Sequence, residues 1–319
     1  MTSIFDRDWI YSTLNLLPTI PVLSWNTRRL ARVLRGVFWR FSLQSSTRSF
    51  VLLLPLVLCL LLTTPAFAGD HGQPLWFDLV TEDTKAAASF YEDLFGWEIG
   101  PARGKVRPIS HNGHLIAGLI EINDELPNKS ESQWLVGIVV DDLTKAVKSA
   151  RSAGGTILRD VTKVEGSGTY AVIRDPQGAI LIIGTPTREI GGPREDGNFA
   201  WVELWTDDLD AAAKFYQTVI SYERNTIEGP DGASTVFETE GKPRAGLVPT
   251  PNEDARPIWA PYIGVADLAA TLKRTTELGG TIVLAPRADF GGGRVALIED
   301  PTHAMVFVAQ LKTDKENSR

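Results

Sequence analysis

A repeat with a constant offset of 125 residues is the feature of this sequence that most constrains its fold. The segment 76–98, WFDLVTEDTKAAASFYEDLFGWE, aligns without a gap with the segment 201–223, WVELWTDDLDAAAKFYQTVISYE. The same offset aligns two further pairs of segments, 134–157 with 259–282 and the Asp-Pro turn at 175–176 with that at 300–301. Three separated matches at one offset indicate a duplicated domain.

The repeat divides the chain into two domains of similar length. We place the first domain at 72–186 and the second at 199–312, joined by a linker over 187–198 that is rich in glycine and proline. Residues 313–319 remain as a short C-terminal tail. A chain of 319 residues with 43% hydrophobic residues is long and apolar enough for two packed cores.

Each copy repeats a finer pattern of a short strand, an aspartate, an amphipathic helix and further strands. Asp83 and Asp142 precede the two helices of the first copy, and Asp208 and Asp267 precede those of the second. An aspartate at this point accepts hydrogen bonds from the first helical N–H groups. Each copy therefore contains two β-α-β-β-β units, and one unit is too small to bury its sheet alone. We predict an α+β fold in which two units form one curved mixed sheet, with helices outside and a concave cleft within.

Charge and cysteine content exclude several functional classes. Residues 1–68 carry seven Arg and two Asp, so the formal charge of −7 for the whole chain leaves −12 on residues 69–319. An acidic body repels phosphate, so we expect no nucleic-acid partner. The only cysteine, Cys59, lies in an apolar run, which leaves the body without a thiol for a disulfide, a zinc site or a nucleophile.

The segment 48–68 has the pattern of a secretory signal peptide. Arg48 precedes an apolar run of 13 residues that starts at Phe50, and small residues stand at Ala66 and Ala68. We expect cleavage after residue 68 and a periplasmic or secreted protein. The alternative is an uncleaved anchor, which would make this segment the only membrane contact, although the run is shorter than the roughly 20 residues of a transmembrane helix.

Residues 1–47 form a basic N-terminal extension with two open interpretations. Five arginines between 28 and 40 alternate with apolar residues, as in a basic helix that lies on a membrane surface. The other interpretation is a start codon assigned too far upstream, because so long a segment before a signal peptide serves no purpose in export.

The order of these motifs resembles the vicinal-oxygen-chelate superfamily, which includes glyoxalases and bleomycin resistance proteins. The resemblance rests on the helix ending in FYEDLFGWE, the following strand-Asp-helix-Gly-Gly unit and its closing segment RDPQGAILII, and it covers 74–185 and 199–311. It implies the fold rather than one activity, because the superfamily contains lyases, isomerases, dioxygenases, antibiotic-modifying enzymes and metal-free drug-binding proteins.

The same resemblance implies where metal ligands would stand, and this sequence has none there. Metalloenzymes of the superfamily place His or Glu on the first and last strands of their units. Those positions are occupied here by Trp76, Leu135, Ile182, Trp201, Ala260 and Phe307. None of these side chains binds a divalent cation, so we expect neither a metal nor another cofactor. The His111-x-x-His114 pair is an alternative ligand pair near a predicted hairpin.

Two carboxylates are the candidate catalytic groups of the predicted clefts. Strand alternation places Asp78 beside Trp76 in the first cleft, and Glu203 between Trp201 and Trp205 in the second. A carboxylate among aromatic rings loses solvation, which raises its pKa and suits a general base or a ligand-anchoring acceptor. The alternative is a structural role, in which each carboxylate accepts a hydrogen bond from its neighbours.

Tyr262 shares the inward face of its strand, where its hydroxyl would contact a ligand or merely pack. Our first functional hypothesis is an exported protein that binds a small hydrophobic or aromatic molecule without metal. The second is a metal-independent lyase, isomerase or hydroxylase-like enzyme with Asp78 or Glu203 as base. The third, a metal-dependent glyoxalase or dioxygenase, is disfavoured by the missing ligands, and a structural role with both clefts filled is a further alternative. Because each pair of units closes its own cleft, either a monomer or a homodimer is expected.

Overall fold

The computed structural model describes residues 69–122, 132–188, 190–229, 232–250, 255–288 and 290–311. The basic extension, the signal peptide and the C-terminal tail predicted above lie outside these residues. No helix in the described part of the chain is long and apolar enough to cross a membrane.

The first domain is one mixed sheet of eight strands with two helices. Its strands are β1 Pro74–Thr81, β2 Glu98–Ile99, β3 Val106–His111, β4 His114–Glu121, β5 Gln133–Val139, β6 Thr156–Val164, β7 Gly168–Arg174 and β8 Ile180–Pro186. Helix α1 spans Thr84–Phe95 and α2 spans Leu143–Ser152. The strand order is β2-β3-β4-β1-β5-β8-β7-β6.

The second domain repeats this arrangement. Its strands are β9 Phe199–Thr206, β10 Glu223–Gly229, β11 Gly232–Thr239, β12 Lys242–Pro249, β13 Ile258–Val265, β14 Thr281–Leu284, β15 Val295–Glu299 and β16 Met305–Gln310. Helix α3 spans Leu209–Ile220 and α4 spans Leu268–Glu277. The order β10-β11-β12-β9-β13-β16-β15-β14 is the order of the first sheet.

Within each sheet, the two units join through the first strand of each. β1 pairs with β5 in antiparallel orientation, whereas β1 with β4 and β5 with β8 are parallel. β9 and β13 join the second sheet in the same way. The predicted α+β class with two tandem domains, each a mixed sheet built from two β-α-β-β-β units, is therefore confirmed.

The aspartates before the four helices act as N-caps. The Asp83 Oδ1 accepts hydrogen bonds from the N–H groups of Lys85 at 3.0 Å and Ala86 at 2.9 Å. Asp208 caps α3 in the same way, and Asp142 and Asp267 each accept one such bond. These bonds satisfy N–H groups that have no partner within the helix, which explains why the sequence begins a helix at each point.

The helices lie on one face of their own sheet, as predicted, and each of them also contacts a helix of the other domain. Helix α2 packs against α3, and α1 packs against α4, across the boundary between the domains. The close approach needs glycine, because a Cβ atom at Gly155 would lie 2.9 Å from the Phe215 ring, and one at Gly280 would lie 2.8 Å from the Phe90 ring. One apolar core therefore contains the helix faces of both sheets.

Reciprocal polar contacts fix this interface. The Tyr216 hydroxyl of α3 donates a 2.9 Å hydrogen bond to Asp175 in the Asp-Pro turn of the first domain. The equivalent Tyr91 of α1 interacts with Asp300 in the turn of the second domain. The indole N–H of Trp259 donates to the Tyr216 hydroxyl at 2.9 Å, so this tryptophan anchors the helix face of its sheet. Burial raises the pKa of the Asp175 carboxyl, while its hydrogen bonds act in the opposite direction.

The segment immediately before β1 binds the second domain. The Asp70 carboxylate lies 3.0 Å from Lys242 Nζ and 3.5 Å from the buried guanidinium of Arg244. The Tyr222 hydroxyl donates a 2.5 Å hydrogen bond to the Gly72 carbonyl oxygen. Asp70 and Gly72 are therefore part of the folded body.

Candidate functional site

The face of each sheet opposite the helices carries a separate apolar cluster, and we call these faces the first and second cleft. The cluster of the first cleft contains Leu75, Trp76, Val139, Ile182 and Ile190, with Leu115, Leu135, Tyr170 and Val172 packed against it. That of the second contains Trp201, Val236, Ala260, Tyr262, Phe290, Val295, Phe307 and Ala309. All six positions identified above as sites of family metal ligands thus face the clefts.

The rings of Trp76 and Tyr170 form an aromatic wall in the first cleft, and the position of the Trp76 ring depends on Gly137. The Trp76 indole lies across the neighbouring strand at Gly137, where an added Cβ atom would be 2.1 Å from Trp76 Cε2. The Tyr170 ring of β7 packs edge-on against the indole, with centroids 4.9 Å apart and an interplanar angle of 71°. Trp76 is 6% exposed, whereas Tyr170 is half-buried and contributes surface to the cleft.

Asp78 is the acidic group of this cleft. It lies between Gly118 of β4 and Leu135 of β5 in the sheet register. Its carboxylate covers Gly118, since a Cβ atom there would be 2.5 Å from Asp78 Oδ1. Asp78 is half-buried and has no hydrogen-bond donor among the described residues, so burial alone raises its pKa to about 7.

Tyr170 connects Asp78 electrostatically with a cation at the edge of the cleft. Its hydroxyl donates a 2.5 Å hydrogen bond to the Ser167 carbonyl oxygen. Burial, followed by the Asp78 charge, raises the Tyr170 pKa to about 12, while the guanidinium of Arg188 acts in the opposite direction. Asp78 and Arg188 therefore both lie near one phenol ring.

Glu203 in the second cleft is in a different environment. Its side chain is 1% exposed, and Oε2 accepts hydrogen bonds from the Trp205 indole at 3.0 Å and the Tyr262 hydroxyl at 2.5 Å. Burial raises the Glu203 pKa to about 8, although hydrogen bonds from Tyr262, Trp205 and Trp201 lower it. Burial and the Glu203 charge in turn hold the Tyr262 pKa well above its usual value.

Aromatic rings fill the rest of the second cleft. Phe307 stacks on Tyr262 with centroids 4.5 Å apart and an interplanar angle of 8°. Trp205 stacks on the Phe307 ring at 5.6 Å, and Phe290 lies 5.9 Å from it. The side chains that the sequence assigned to this cleft, Trp201, Glu203, Trp205 and Tyr262, thus come together and largely contact one another.

The two clefts differ in how deeply the side chains at equivalent positions of the repeat are buried. Asp78, Leu135 and Tyr170 are half-buried. Their equivalents are Glu203 at 1%, Ala260 at 3% and Val295 at 1% exposure. Gly137 has no side chain, while its equivalent Tyr262 occupies the middle of the second cleft. These side chains of the first cleft are therefore partly exposed, whereas their equivalents in the second cleft are buried among their neighbours.

Three residues of these sites were absent from the sequence prediction. Tyr170 and Arg188 border the first cleft, and Phe290 completes the second. Strand alternation around Ile182 and its neighbour strand would have suggested Tyr170, which replaces Val295 of the other copy. No signal in the sequence pointed to Arg188, because it follows the last strand and lies in the predicted linker.

The donor set of the clefts does not fit the metal that the family resemblance implies. The six family positions carry tryptophan, aliphatic or phenylalanine side chains, and Asp78 and Glu203 add one carboxylate to each cleft. Within the described ranges, no group of three or more His, Cys, Asp or Glu side chains is suitably placed to hold a metal ion.

Of the two histidines considered as an alternative ligand pair, His111 binds the linker. His111 and His114 face each other at the turn between β3 and β4. His111 is 7% exposed, and its Nε2 lies 2.8 Å from the carbonyl oxygen of Asp196. The neighbouring Asn112 donates a 2.7 Å hydrogen bond to Glu195. These contacts hold the linker against the first domain.

Comparison with known families agrees with this fold. The family model described as the Glyoxalase/Bleomycin resistance protein/Dioxygenase superfamily matches residues 73–183 and again 198–307. The chain belongs to this superfamily. Both matches coincide with the two sheets, so the resemblance inferred from the sequence motifs is confirmed.

Several relatives from this superfamily cover most of the chain. DnrV of Streptomyces peucetius, an anthracycline biosynthesis protein, is 31% identical over 261 residues, which are 76% of this chain and 94% of DnrV. CFP32 of Mycobacterium tuberculosis, whose name assigns it only provisionally to the glyoxylases, is 29% identical over 246 residues, with 75% of this chain and 94% of CFP32 covered.

Solved structures share the fold at low identity. The Mn(II)-bound glyoxalase from Novosphingobium aromaticivorans has a TM-score of 0.54 at 13% identity, over 75% of this chain and 82% of that one. Homoprotocatechuate 2,3-dioxygenase from Brevibacterium fuscum, in complex with 3,4-dihydroxyphenylacetate, has a TM-score of 0.55 at 13% identity, over 78% and 83%. At this identity the likeness shows the fold alone.

Proposed function

We propose that this protein binds a flat aromatic small molecule in the first cleft without a metal. The observation that carries the proposal is the half-buried Asp78 carboxyl, which has no donor among the described residues and stands beside the rings of Trp76 and Tyr170. Aromatic surface next to one polar group is the usual composition of a small-molecule site.

The two kinds of group have complementary roles in this proposal. Trp76 and Tyr170 supply apolar area and ring edges for a planar ligand. With a pKa of about 7, Asp78 is partly protonated at neutral pH, and its protonated form donates a hydrogen bond to a carbonyl or hydroxyl oxygen of the ligand. Glu203 has no such role here, because Trp205 and Tyr262 already bind it.

The names of two relatives support an aromatic ligand. DnrV and DauV are both described as anthracycline biosynthesis proteins and are 31% and 30% identical to this chain. Anthracyclines are flat, polycyclic and rich in carbonyl and hydroxyl oxygens, which suits an aromatic wall beside one hydrogen-bonding carboxyl. A hydroxylated anthraquinone is therefore a reasonable probe.

Binding of 1,8-dihydroxyanthraquinone is expected to weaken as Asp78 loses its proton. If only the protonated carboxyl donates, the affinity falls about tenfold between pH 6 and pH 8. Asp78→Asn keeps a donor, so its affinity stays within about threefold of wild type at pH 6 and loses the pH dependence. Asp78→Leu removes the donor and weakens binding about tenfold. Quenching of tryptophan fluorescence and calorimetry measure each affinity.

Glu203→Gln in the second cleft is the matched control and should bind like wild type at pH 6. Equal affinities of wild type and Asp78→Leu, or an unchanged pH dependence in Asp78→Asn, would contradict the role of Asp78. Absence of any aromatic ligand binding at probe solubility would refute the proposed function itself.

A second candidate function is a metal-independent lyase, isomerase or hydroxylase-like enzyme with Asp78 as general base. The observation in its favour is the same pKa of about 7, because a base works best when its pKa is close to the pH of the reaction. Asp78→Asn separates the two functions, since the amide retains a donor but cannot accept a proton. Turnover that survives in Asp78→Asn would exclude this enzyme.

We further propose that the protein acts after export, as a monomer or homodimer with no nucleic-acid partner. The support for export is the signal-like segment 48–68, and the folded body begins just after it, with Asp70 bound to Lys242 and Arg244. Cleavage after Ala68 would leave these contacts intact. The intact mass of the protein from its native host tests this, and a mass that retains residues 1–68 would show that cleavage does not occur.

A further inference from the structure

Arg188 is a cation that has no ion-pair partner among the residues that the structure describes. It follows β8 by two residues and is half-buried. Its Nε atom is buried and has no hydrogen-bond partner in the described part of the chain. A buried donor without an acceptor is unfavourable, and a guanidinium keeps its charge at any physiological pH. Among the described residues, this N–H group therefore lacks an acceptor that a bound group would supply.

This cation belongs to the first cleft. Thr187, the residue before Arg188, donates a 3.1 Å hydrogen bond from its N–H group to the Ser167 carbonyl oxygen, which also accepts from the Tyr170 hydroxyl. The Tyr170 ring in turn contacts Trp76. The Tyr170 hydroxyl donates to the Ser167 carbonyl oxygen and remains neutral, so it supplies no negative charge to Arg188. An anionic group bound in the cleft beside Tyr170 would supply both that charge and an acceptor.

We propose that the ligand of the first cleft is an aromatic acid whose carboxylate is bound by Arg188. This inference rests on the proposed function, and it adds the charge and orientation of the ligand. A guanidinium presents parallel N–H groups that match the two oxygens of a carboxylate, and such charge-assisted hydrogen bonds are the strong ones.

The charges of the cleft also define how the ligand lies. The carboxylate belongs at the Arg188 end, away from Asp78, because two carboxylates side by side repel each other. The aromatic body then lies along Trp76 and Tyr170, with an oxygen directed to Asp78. The second cleft offers no equivalent arrangement, since Glu203 is buried and its aromatic neighbours fill the space.

Two probes of the same shape test this proposal, anthraquinone-2-carboxylate and anthraquinone-2-carboxamide, with calorimetry on the full protein at pH 6. We expect the carboxylate to bind at least tenfold more tightly than the carboxamide. Arg188→Gln should weaken carboxylate binding at least tenfold and leave carboxamide binding unchanged. Arg188→Lys keeps the charge without the planar fork and should lose only part of the preference.

Arg151→Gln is the control for net charge. Arg151 lies on α2 of the same domain, is 63% exposed and pairs with Asp160 at 3.8 Å, so its loss should leave both affinities unchanged. Equal binding of the two probes to wild type, or the same preference in Arg188→Gln with a native circular dichroism spectrum, would overturn the proposal. Failure of both probes to bind would instead refute aromatic binding in this cleft, and the acid preference with it.

Discussion

Between pH 5 and pH 8, the wild-type protein is expected to lose about 3 kcal/mol more of its unfolding free energy than the Glu203→Gln variant. The reason is the environment of Glu203, which is 1% exposed and has its pKa raised by burial to about 8, against 4.5 for the free side chain. The glutamine amide mimics the protonated acid and cannot ionise, so this substitution removes the contribution of Glu203 to the pH dependence.

The direction of this pH dependence follows from the state, folded or unfolded, that holds the Glu203 proton more tightly. Above pH 4.5 the unfolded chain releases the Glu203 proton, whereas the folded protein retains it until about pH 8. The stability contributed by the protonated side chain is therefore complete below pH 4.5 and is lost as the pH rises to 8. Burial also raises the pKa values of Asp78, Asp175 and Asp300, which acts in the same direction but is common to both proteins.

Urea unfolding at pH 5, 6, 7 and 8 measures the effect, with the exposed Glu223→Gln as a control that removes one charge from the same domain. The control should follow the wild-type pH dependence. If Glu203→Gln followed it as well, the carboxyl would be ionised in the folded protein, and the hydrogen bonds from Tyr262 and Trp205 would outweigh the cost of burying its charge.

The sequence predicted the architecture well because the fold is specified by local and repeated signals. Asp83 and Asp208 cap helices through bonds to the next few residues, so position in the chain is enough to identify them. Strand alternation likewise placed Asp78 and Trp76 on one face. The offset of 125 residues then extended each assignment to the second copy.

These local signals could not predict contacts between segments that are distant in the sequence. The packing of α2 on α3 depends on Gly155 and Phe215, which belong to different domains. The difference between the clefts has the same origin, because Tyr262 fills the second cleft through its contacts with Glu203 and Phe307. In the first cleft, the segment before Arg188 reaches Tyr170 through the Ser167 carbonyl oxygen. The repeat suggests that the two clefts are equivalent. The volume of the side chains at a few positions decides which of the two clefts stays open.

Substitution of Gly137 should show how strictly the first cleft depends on the absence of a side chain at this position. Gly137→Ala places a Cβ atom 2.1 to 2.4 Å from the Trp76 indole, a distance that real contacts do not adopt, so the ring must leave its position. We expect a loss of about 2 kcal/mol in unfolding free energy, which is typical of overpacking, and a loss of probe binding of about tenfold or more as the aromatic wall moves.

A double-mutant cycle of Gly137→Ala with Trp76→Val isolates the contact between the added methyl group and the Trp76 indole. Trp76→Val alone leaves a cavity and costs about 3 kcal/mol, but it also removes the ring that the alanine would strike. The double variant should therefore be more stable than the sum of the two losses implies, by about 1 to 3 kcal/mol. Additive losses would mean that Gly137 is needed for its backbone alone.

Gly246→Ala provides the matched case in the second cleft. Its Cβ atom would lie 2.8 Å from Glu203 Cγ, so it strains the buried carboxylate but touches nothing in the first cleft. It should lower the unfolding free energy and leave probe binding intact, while Gly137→Ala lowers both. This separation of stability from binding is expected if the ligand occupies the first cleft and not the second.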